Sequence, residues 1–315
     1  MKRIVLTVIV LLPFIVGLGA QPQQTGADPE WAFPVINGAL PDDEEGPFSV
    51  PGSELTFTEA QIDDLYAPPD WFPNEHAPAP QIVKYGHGDA LGCGACHLMS
   101  GFGHPESADL TGFTPEYILQ QLADFKTRDR IDSSRMNGIV QALSDQEMRE
   151  AAEWFSGLET GVWAEVIETE TVPETFVGGG RMRFAVPDGG TEPIGNRVIT
   201  LPMDQDRATK RDPHSGFIAY VPPGSIARGE EIVMNGDDGR TVQCTLCHGE
   251  TLHGLGNVPR LAGLTPIYVA RQLYLFKGER RNGVDAQLMK GPVEDLTDED
   301  IVAISAYLGS LDPSE

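Results

Sequence analysis

The chain has 315 residues, enough for two ordinary domains, and its 47 acidic against 22 basic residues give a formal net charge of −25. So acidic a chain lacks the basic surface that nucleic-acid binding needs, which excludes that class of protein. With 35 Gly, 25 Pro and only 40% hydrophobic residues, loops are abundant and ordinary core material is scarce. We therefore expect either partial disorder or a core that something other than side chains fills.

Residues 1–20 have the features of a secretory signal peptide. Lys2 and Arg3 form a short positive region, residues 4–16 are an apolar run, and small residues end at Ala20. An uncleaved anchor is the alternative, but the short run, broken by Pro13, favours cleavage. Cleavage after Ala20 would take the charge from −25 to −27 and leave no transmembrane segment. We predict a periplasmic protein, in a compartment where thiols tend to oxidise.

Residues 21–75 are predicted to be an acidic, Pro-rich N-terminal extension. No Lys or Arg occurs between residues 21 and 83, and twelve acidic residues do, so a solvated, partly extended segment is expected. A short helix fits residues 58–66. Aromatic residues nevertheless suggest that parts of the extension pack on a domain; they are Trp31, Phe33, Phe57, Trp71 and Phe72.

The rest of the chain contains an internal repeat. Residues 110–117 (LTGFTPEY) match residues 261–268 (LAGLTPIY) at an offset of 151, which becomes 153 near the C-terminal end of each copy. We predict two tandem domains, at 76–160 and 224–315. The intervening insert, 161–223, is expected to be an irregular linker without chemistry, because its short β-prone pieces would form one hairpin at most.

Both copies are predicted to be all-α, with helices at matching places. Thr114 and Thr265 are N-cap candidates, each followed by Pro at the first helical position. The last helix of the first copy opens at 144–147 with a capping box, and that of the second opens at 297–300 with acidic residues that favour a helix N-terminus.

One further helix is expected before each Cys in the repeat. In the second copy, Ser225 is the predicted N-cap of a helix over residues 226–234. The corresponding helix of the first copy, over residues 80–85, carries a weaker signal.

All four cysteines lie in two C-x-x-C-H motifs, at 93–97 and 244–248, which share the offset of 151. This spacing is the attachment signal of c-type haem. It places two thiols about one helical turn apart, where they can form thioethers with the haem vinyl groups, and the His beside them can bind the iron. The predicted attachment residues are Cys93, Cys96, Cys244 and Cys247, and the predicted proximal ligands are His97 and His248.

Two other readings of the motif remain as alternatives. A disulfide within each C-x-x-C would leave the following His and the repeat unexplained. A zinc site would need further Cys or His ligands at matching spacing, and His253 has only a loose counterpart, His104.

The distal ligand of a c-type iron must come from far along the chain. Met136 and Met289 follow the two motif histidines at matching places in the repeat, so they are predicted to bind the two irons. Met148 has no counterpart and is assigned to packing. His104 and His253 are the second choice as distal ligands.

At this point the chain resembles the class I c-type cytochromes and, more closely, the two-haem cytochrome c4 group. The resemblance lies in the paired C-x-x-C-H motifs, Leu261-Ala262-Gly263, Phe276-Lys277-Gly278 and Met289. It implies an all-α fold with two tandem cytochrome c domains and two covalent haem c groups with His/Met ligands. It also implies that the carbonyl of Pro259 accepts a hydrogen bond from the second proximal His, with Pro105 as the nearest candidate in the first copy.

The function predicted from these features is single-electron transfer between periplasmic or membrane redox partners. Its acidity should steer the protein toward partners with basic docking surfaces. The haem-packing side chains are expected to be Phe125, Trp154 and Phe155 in the first copy and Phe276 and Tyr307 in the second. The alternatives are a di-haem cytochrome c peroxidase-like enzyme and a cytochrome subunit of a larger dehydrogenase or oxidase complex.

Overall fold

A computed structural model of the protein describes residues 28–40, 46–132 and 134–314. The predicted signal peptide lies outside these ranges. Within them, no helix combines the length and the apolar character that crossing a membrane requires.

Short and long helices follow one another at corresponding places along the two copies of the repeat. The extension and first copy contain α1 (Glu59–Ile62), α2 (Gln81–Lys84), α3 (Gly94–His97), α4 (Pro115–Thr127), α5 (Met136–Ile139) and α6 (Asp145–Ser156). The insert contains α7 (Gln205–Thr209). The second copy contains α8 (Ser225–Asn235), α9 (Thr245–His248), α10 (Pro266–Lys277), α11 (Lys290–Glu294) and α12 (Asp298–Ser310).

Local sequence signals explain where the long helices begin. The Thr114 side chain accepts a hydrogen bond from the Tyr117 amide, and Ser144 forms the predicted capping box with Glu147. Thr265 stands at the start of α10, but its side chain makes no capping hydrogen bond. The cap predicted for α8 was wrong, because Ser225 is already helical.

Gly224 is the N-cap residue of α8 instead, with a φ of 82° that Gly adopts without strain. The predicted helices near the first motif are shorter than expected. Only residues 59–62 and 81–84 are helical where 58–66 and 80–85 were predicted.

The insert is more ordered than a linker with one hairpin. It contains seven strands, β1 (Ala164–Glu168), β2 (Thr171–Pro173), β3 (Thr175–Val177), β4 (Arg183–Ala185), β5 (Thr191–Pro193), β6 (Ile199–Pro202) and β7 (Phe217–Val221). The all-α prediction therefore fails for the insert, although the β-prone pieces at 181–186 and 197–201 overlap β4 and β6.

Three small sheets form from these strands. In the largest, β7 is central, parallel to β1 and antiparallel to β6, while β2 pairs with β5 and β3 with β4 in antiparallel pairs. Phe217, Ala219 and Val221 of β7 are buried at alternate positions, as expected of a strand with one face on a core. The insert is thus a packed unit with a core of its own.

The two copies of the repeat share one apolar core and a backbone contact. Buried residues of α4 and α6 belong to the same cluster as those of α8, α10 and α12. Arg130 and Arg281, which correspond in the repeat, form an antiparallel bridge, and the Ile131 amide donates to the Arg280 carbonyl over 2.7 Å. Equivalent residues of the two copies therefore meet at this contact.

Parts of the extension pack against the rest of the protein. Trp71 is buried, packs edge-on against Phe57 and donates its indole N–H to the Lys210 carbonyl in the insert over 2.8 Å. Farther upstream, Asp28 accepts two hydrogen bonds from Arg280 of the second copy, at 2.6 and 2.7 Å. The expected packing of aromatic residues is thus confirmed for Trp71, whereas many other described residues of the extension are exposed, as expected of a solvated segment.

Candidate functional site

Each C-x-x-C-H motif forms a single helical turn. Cys93 and Cys244 are the N-cap residues of α3 and α9, and each turn ends at its His. No disulfide joins any of the four cysteines, which contradicts the disulfide alternative. Burial raises the pKa of Cys93 to about 12, with a smaller contribution from Cys96, and burial likewise raises the pKa of Cys244 to about 11.

The motif histidines have the same hydrogen bond in both copies. Nδ1 of His97 donates to the Ala108 carbonyl over 2.8 Å, and Nδ1 of His248 donates to the Pro259 carbonyl over 2.7 Å. A carbonyl oxygen only accepts, so the proton is on Nδ1 and Nε2 keeps its lone pair. Burial lowers the pKa of both histidines, which favours the neutral imidazole that binds a metal. Each ring is thus fixed in the tautomer that a ligand of iron requires.

This hydrogen bond confirms the expectation for Pro259 and corrects that for Pro105. The acceptor in the first copy is Ala108, which lies 151 residues before Pro259, the same offset that relates the two motifs. Any residue can present a backbone carbonyl, so residue type was a poor guide. The repeat register would have found Ala108.

An elongated cavity of about 920 Å³ opens beside the first motif. Cys93, Cys96 and His97 line it, as does Met136, the first residue of α5. Its volume lies in the range of sites that bind cofactors. Its other walls in the first copy are largely apolar and aromatic and include Phe113, Ile118, Leu122, Phe125 and Phe155. Thiols, an imidazole, a thioether and an apolar surround are the groups that a covalently attached haem requires.

Two of the three aromatic residues predicted to pack on the first haem line this cavity. Phe125 and Phe155 do, and the Phe155 ring also lies edge-on to His97 with 5.9 Å between ring centroids. Trp154 faces the other way, because its indole N–H donates to the Ala77 carbonyl over 3.0 Å. In the second copy, Phe276 and Tyr307 are part of the shared apolar core.

Polar contacts hold the loop that contains Met136 close to α4. The Met136 amide donates to a carboxylate oxygen of Asp132 over 3.0 Å. The Asn137 side chain donates to the carbonyls of Phe125 and Arg130, both at 2.8 Å. In the second copy, Met289 ends a short 3₁₀ turn and is half-buried against the shared core. The loops therefore keep both methionines on ordered backbone.

The second-choice ligands have other surroundings. His104 is close to the insert, with 3.4 Å between its Nε2 and Nη1 of Arg211, and burial together with that guanidinium lowers its pKa to about 3. His253 contacts the hydroxyl of Thr251 through Nδ1. Among the described residues, no three His, Cys, Asp or Glu side chains converge as a zinc site would need.

Two buried arginines lie where the copies meet, in an arrangement that local sequence patterns do not predict. Arg130 donates to the side-chain oxygens of Gln121 and Gln272, and Arg281 donates to the same two oxygens, at 2.8 to 3.1 Å. Each guanidinium lies over a phenylalanine ring of its own copy. Burial and the charge of Arg130 lower the pKa of Arg281.

These arginines have amide and hydroxyl partners but no carboxylate partner within the described ranges. Gln121, Gln272 and Arg130 also line the cavity of the first copy, so the pair is beside the candidate haem site. Two buried positive charges without counter-ions are costly, and an anionic group beside them would offset that cost.

A buried ion pair joins the two histidine-supporting loops. Arg260 follows Pro259, Asp109 follows Ala108, and the Arg260 guanidinium donates to the Asp109 carboxylate and to the Thr111 carbonyl. Asp109 and Arg260 are themselves equivalent in the repeat. Burial raises the pKa of Asp109, while Arg260 and Thr111 oppose that effect. The backbone that accepts from each motif His is thereby linked to its counterpart in the other copy.

Comparison with known proteins finds similarity to c-type cytochromes. The family model described as cytochrome c matches residues 226–312. Cytochrome c4 of Stutzerimonas stutzeri is 26% identical over 245 residues, which cover 73% of this chain and 89% of the relative. Cytochrome c-554(548) of Halomonas halodenitrificans is 35% identical over 88 residues, which cover 28% of this chain and 96% of the relative.

A solved structure of reduced recombinant cytochrome c4 from Pseudomonas stutzeri was also found. It is 24% identical to this chain and has a TM-score of 0.46. The match covers 70% of this chain and 93% of that structure.

Proposed function

Because this chain belongs to the cytochrome c family and is a di-haem, cytochrome c4-like protein, we propose that it is exported and passes single electrons between redox proteins of the periplasm or membrane. It is an electron carrier with covalently bound haem c. The observation that carries the proposal is the repeated histidine geometry, in which each motif His donates through Nδ1 to a loop carbonyl.

The proposed ligand set is the same in both copies. Cys93 and Cys96, and Cys244 and Cys247, would hold the two haems as thioethers, with His97 and His248 on the proximal side. Met136 and Met289 would bind from the distal side. Haem iron, when bound, supplies one-electron chemistry by changing between ferric and ferrous states.

The chain's own residues set the conditions for that chemistry. The Nδ1 hydrogen bonds orient the imidazoles and increase their basicity. The apolar walls, Phe125 and Phe155 among them, exclude water and disfavour the extra charge of the ferric state, and a Met sulfur favours ferrous iron. Both effects raise the reduction potential. We further infer that Arg130 and Arg281 hold the carboxylates of the haem groups between the two copies.

Location and partners follow from the sequence rather than from the site. The signal peptide proposed for residues 1–20 would direct export to the periplasm, where haem c attachment through free thiols would take place. The net charge of −25 favours redox partners with basic docking surfaces.

Substitution of the distal methionines tests the ligand assignment. Met136→Ala and Met289→Ala should each lower the potential of one haem by on the order of 100 mV, a part of the roughly 0.8 V range that axial ligands set. Each should also convert one low-spin iron to a high-spin one. Redox titration and absorption spectra of the purified di-haem protein measure both effects.

Met148→Ala is the matched control. Met148 is buried within α6, so its loss should reduce stability but leave both potentials in place. Unchanged potentials in either ligand variant would refute that ligand. A high-spin iron and peroxide turnover in the unaltered protein would favour the peroxidase alternative instead.

A further inference from the structure

The two C-x-x-C-H motifs differ sharply in exposure although they occupy equivalent places in the repeat. Leu246, inside the second motif, is 66% exposed, whereas its counterpart Ala95 is 1% exposed. Cys247 is exposed, and its counterpart Cys96 is only partly so. Both motifs belong to the same molecule, so the difference in exposure comes from the segments of the chain that pack on each motif.

The same asymmetry continues beside the motifs. Val242 is 42% exposed, while its counterpart Leu91 is 8% exposed. Next to Val242, the Thr241 hydroxyl donates to the Pro292 carbonyl over 2.7 Å, which joins the Cys loop to the loop of the distal Met. Leu288, on that Met loop, is exposed as well. We call Val242, Leu246, Cys247 and Leu288 the second-copy edge.

One residue of the insert contacts the equivalent edge of the first copy directly. Arg211 donates through Nη1 to the Ala95 carbonyl inside the motif, and through Nε to the Ile62 carbonyl of the extension over 2.8 Å. The extension itself contacts the loop before the motif, because the Gly92 amide donates to the Leu65 carbonyl over 3.0 Å. Insert and extension meet at this edge.

Apolar packing covers the other end of the first motif. Leu98, directly after the motif His, is buried in the core of the insert together with Trp163 and Phe217. The Trp163 indole donates to the Gly103 carbonyl over 2.9 Å. These contacts bury side chains from both parts of the chain, so displacing the cover would expose a substantial apolar surface.

From this asymmetry we infer that the second-copy edge is the protein-docking surface of the molecule, while the insert and the extension close the equivalent edge of the first copy to protein partners. The inference deepens the proposed function and rests on it. At this surface one electron would pass between a partner's redox centre and the second haem, the donor being oxidised and the acceptor reduced by one electron, with no bond made or broken. The first haem would then exchange electrons through the second.

Charge near the edge indicates what kind of partner fits. Asp238, Glu250 and Asp285 are exposed and adjoin the edge in sequence, and in the described part of the chain none of them forms an ion pair. The nearby cations Arg240 and Lys290 are each paired with carboxylates. An apolar patch with uncompensated acids beside it complements a redox protein whose docking face is apolar and ringed by lysines or arginines.

Leu246→Lys tests the surface by removing an apolar contact and adding a repulsive charge. The probe is a zinc-substituted mitochondrial cytochrome c, a lysine-rich protein that binds without exchanging electrons in the dark, and calorimetry gives its Kd. We expect the Kd to rise at least 10-fold at low salt. Val242→Lys should have a similar effect. Because Val242 lies outside the attachment motif, this variant separates weaker docking from impaired haem attachment.

Val162→Lys is the matched control, because Val162 is an equally exposed apolar residue of the insert, 65% exposed, outside the second-copy edge. It should change the Kd less than twofold. Equal weakening by all three variants, or none by Leu246→Lys and Val242→Lys, would overturn the inference. A purified chain without covalent haem would instead refute the proposed function, so the two failures are distinguishable.

Discussion

At the residue scale, the most unusual contact is the ion pair between Asp109 and Arg260. Both side chains are almost fully buried, and each follows the residue whose carbonyl accepts from a motif His. Asp109 and Arg260 are equivalent in the repeat and contact each other, and opposite charges let them pair where identical ones would repel. The duplicated copies have thus diverged at the place where they touch.

Asp109→Asn should destabilise the protein strongly. It leaves the Arg260 charge buried without its counter-ion, and breaking a buried pair from one side typically costs about 3–5 kcal/mol. Urea unfolding of the purified protein measures this loss. Glu279→Gln, which removes the partner of an exposed ion pair with Lys290, is the control and should cost less than about 1 kcal/mol. Equal costs for the two variants would contradict the structural role given to Asp109.

Residue-scale predictions succeeded where the signal was local. The C-x-x-C-H spacing places thiols and imidazole on one helical turn, and Thr114 and Ser144 act on amides three residues away. The prediction that Pro105 accepts the hydrogen bond of His97 was wrong. Every residue type has a backbone carbonyl, so the sequence does not show which one is the acceptor. The sequence showed Arg130 and Arg281 only as a matched pair of the repeat, because their hydrogen-bond partners lie as far as 164 residues away.

At the element scale, charged side chains fasten α8 to the start of α12. Arg228, on α8, donates to Asp237 at 2.5 and 2.7 Å and to Asp300 at 3.1 Å, and Arg240 binds the same two carboxylates. Asp300 also completes the capping box with Thr297. Hydrogen bonds from Arg228 and Arg240 lower the pKa of Asp237. Burial raises the pKa of Asp300, but its hydrogen bonds outweigh that effect and lower it.

Because of this cluster, we expect the stability of the folded protein to decrease at acid pH. A carboxyl group with a lowered folded-state pKa stabilises the fold above its unfolded pKa, about 4 for Asp, and that stability is lost as the pH falls through the folded value. At pH 7, the Asp237→Asn variant should therefore have a lower melting temperature than the unaltered protein. The difference should shrink steadily below pH 4, as thermal melting at a series of pH values would show. A difference that stayed constant to pH 2 would refute the assignment.

The strands of the insert could not be predicted from local sequence patterns. Its strands are only three to five residues long, and Gly and Pro separate them, so each carries little periodicity. The largest sheet pairs β1 with β7, whose partners are 53 residues apart in sequence, as in Ala164 and Phe217. Such nonlocal pairing, rather than local propensity, decides the structure there.

At the scale of the whole molecule, the parts foreign to the repeat give the two copies different surroundings. The extension binds the insert through Trp71 and Lys210, which are 139 residues apart. The insert contacts the first motif, and the extension contacts the loop before it. The two-copy layout was predictable from the 151-residue offset. The packing of the insert and the extension on the first copy was not predictable, because it depends on contacts between segments that carry no recognisable motif.

The whole account depends on two haems bound covalently at the two motifs. Intact mass spectrometry of the purified, exported chain tests this most directly, with tandem spectra of the peptides around Cys93 and Cys244 to locate the additions. We predict a mass increase equal to two haem groups, one on each C-x-x-C-H peptide, and a chain that begins after Ala20. A chain of unmodified mass, or haem on one peptide alone, would contradict it.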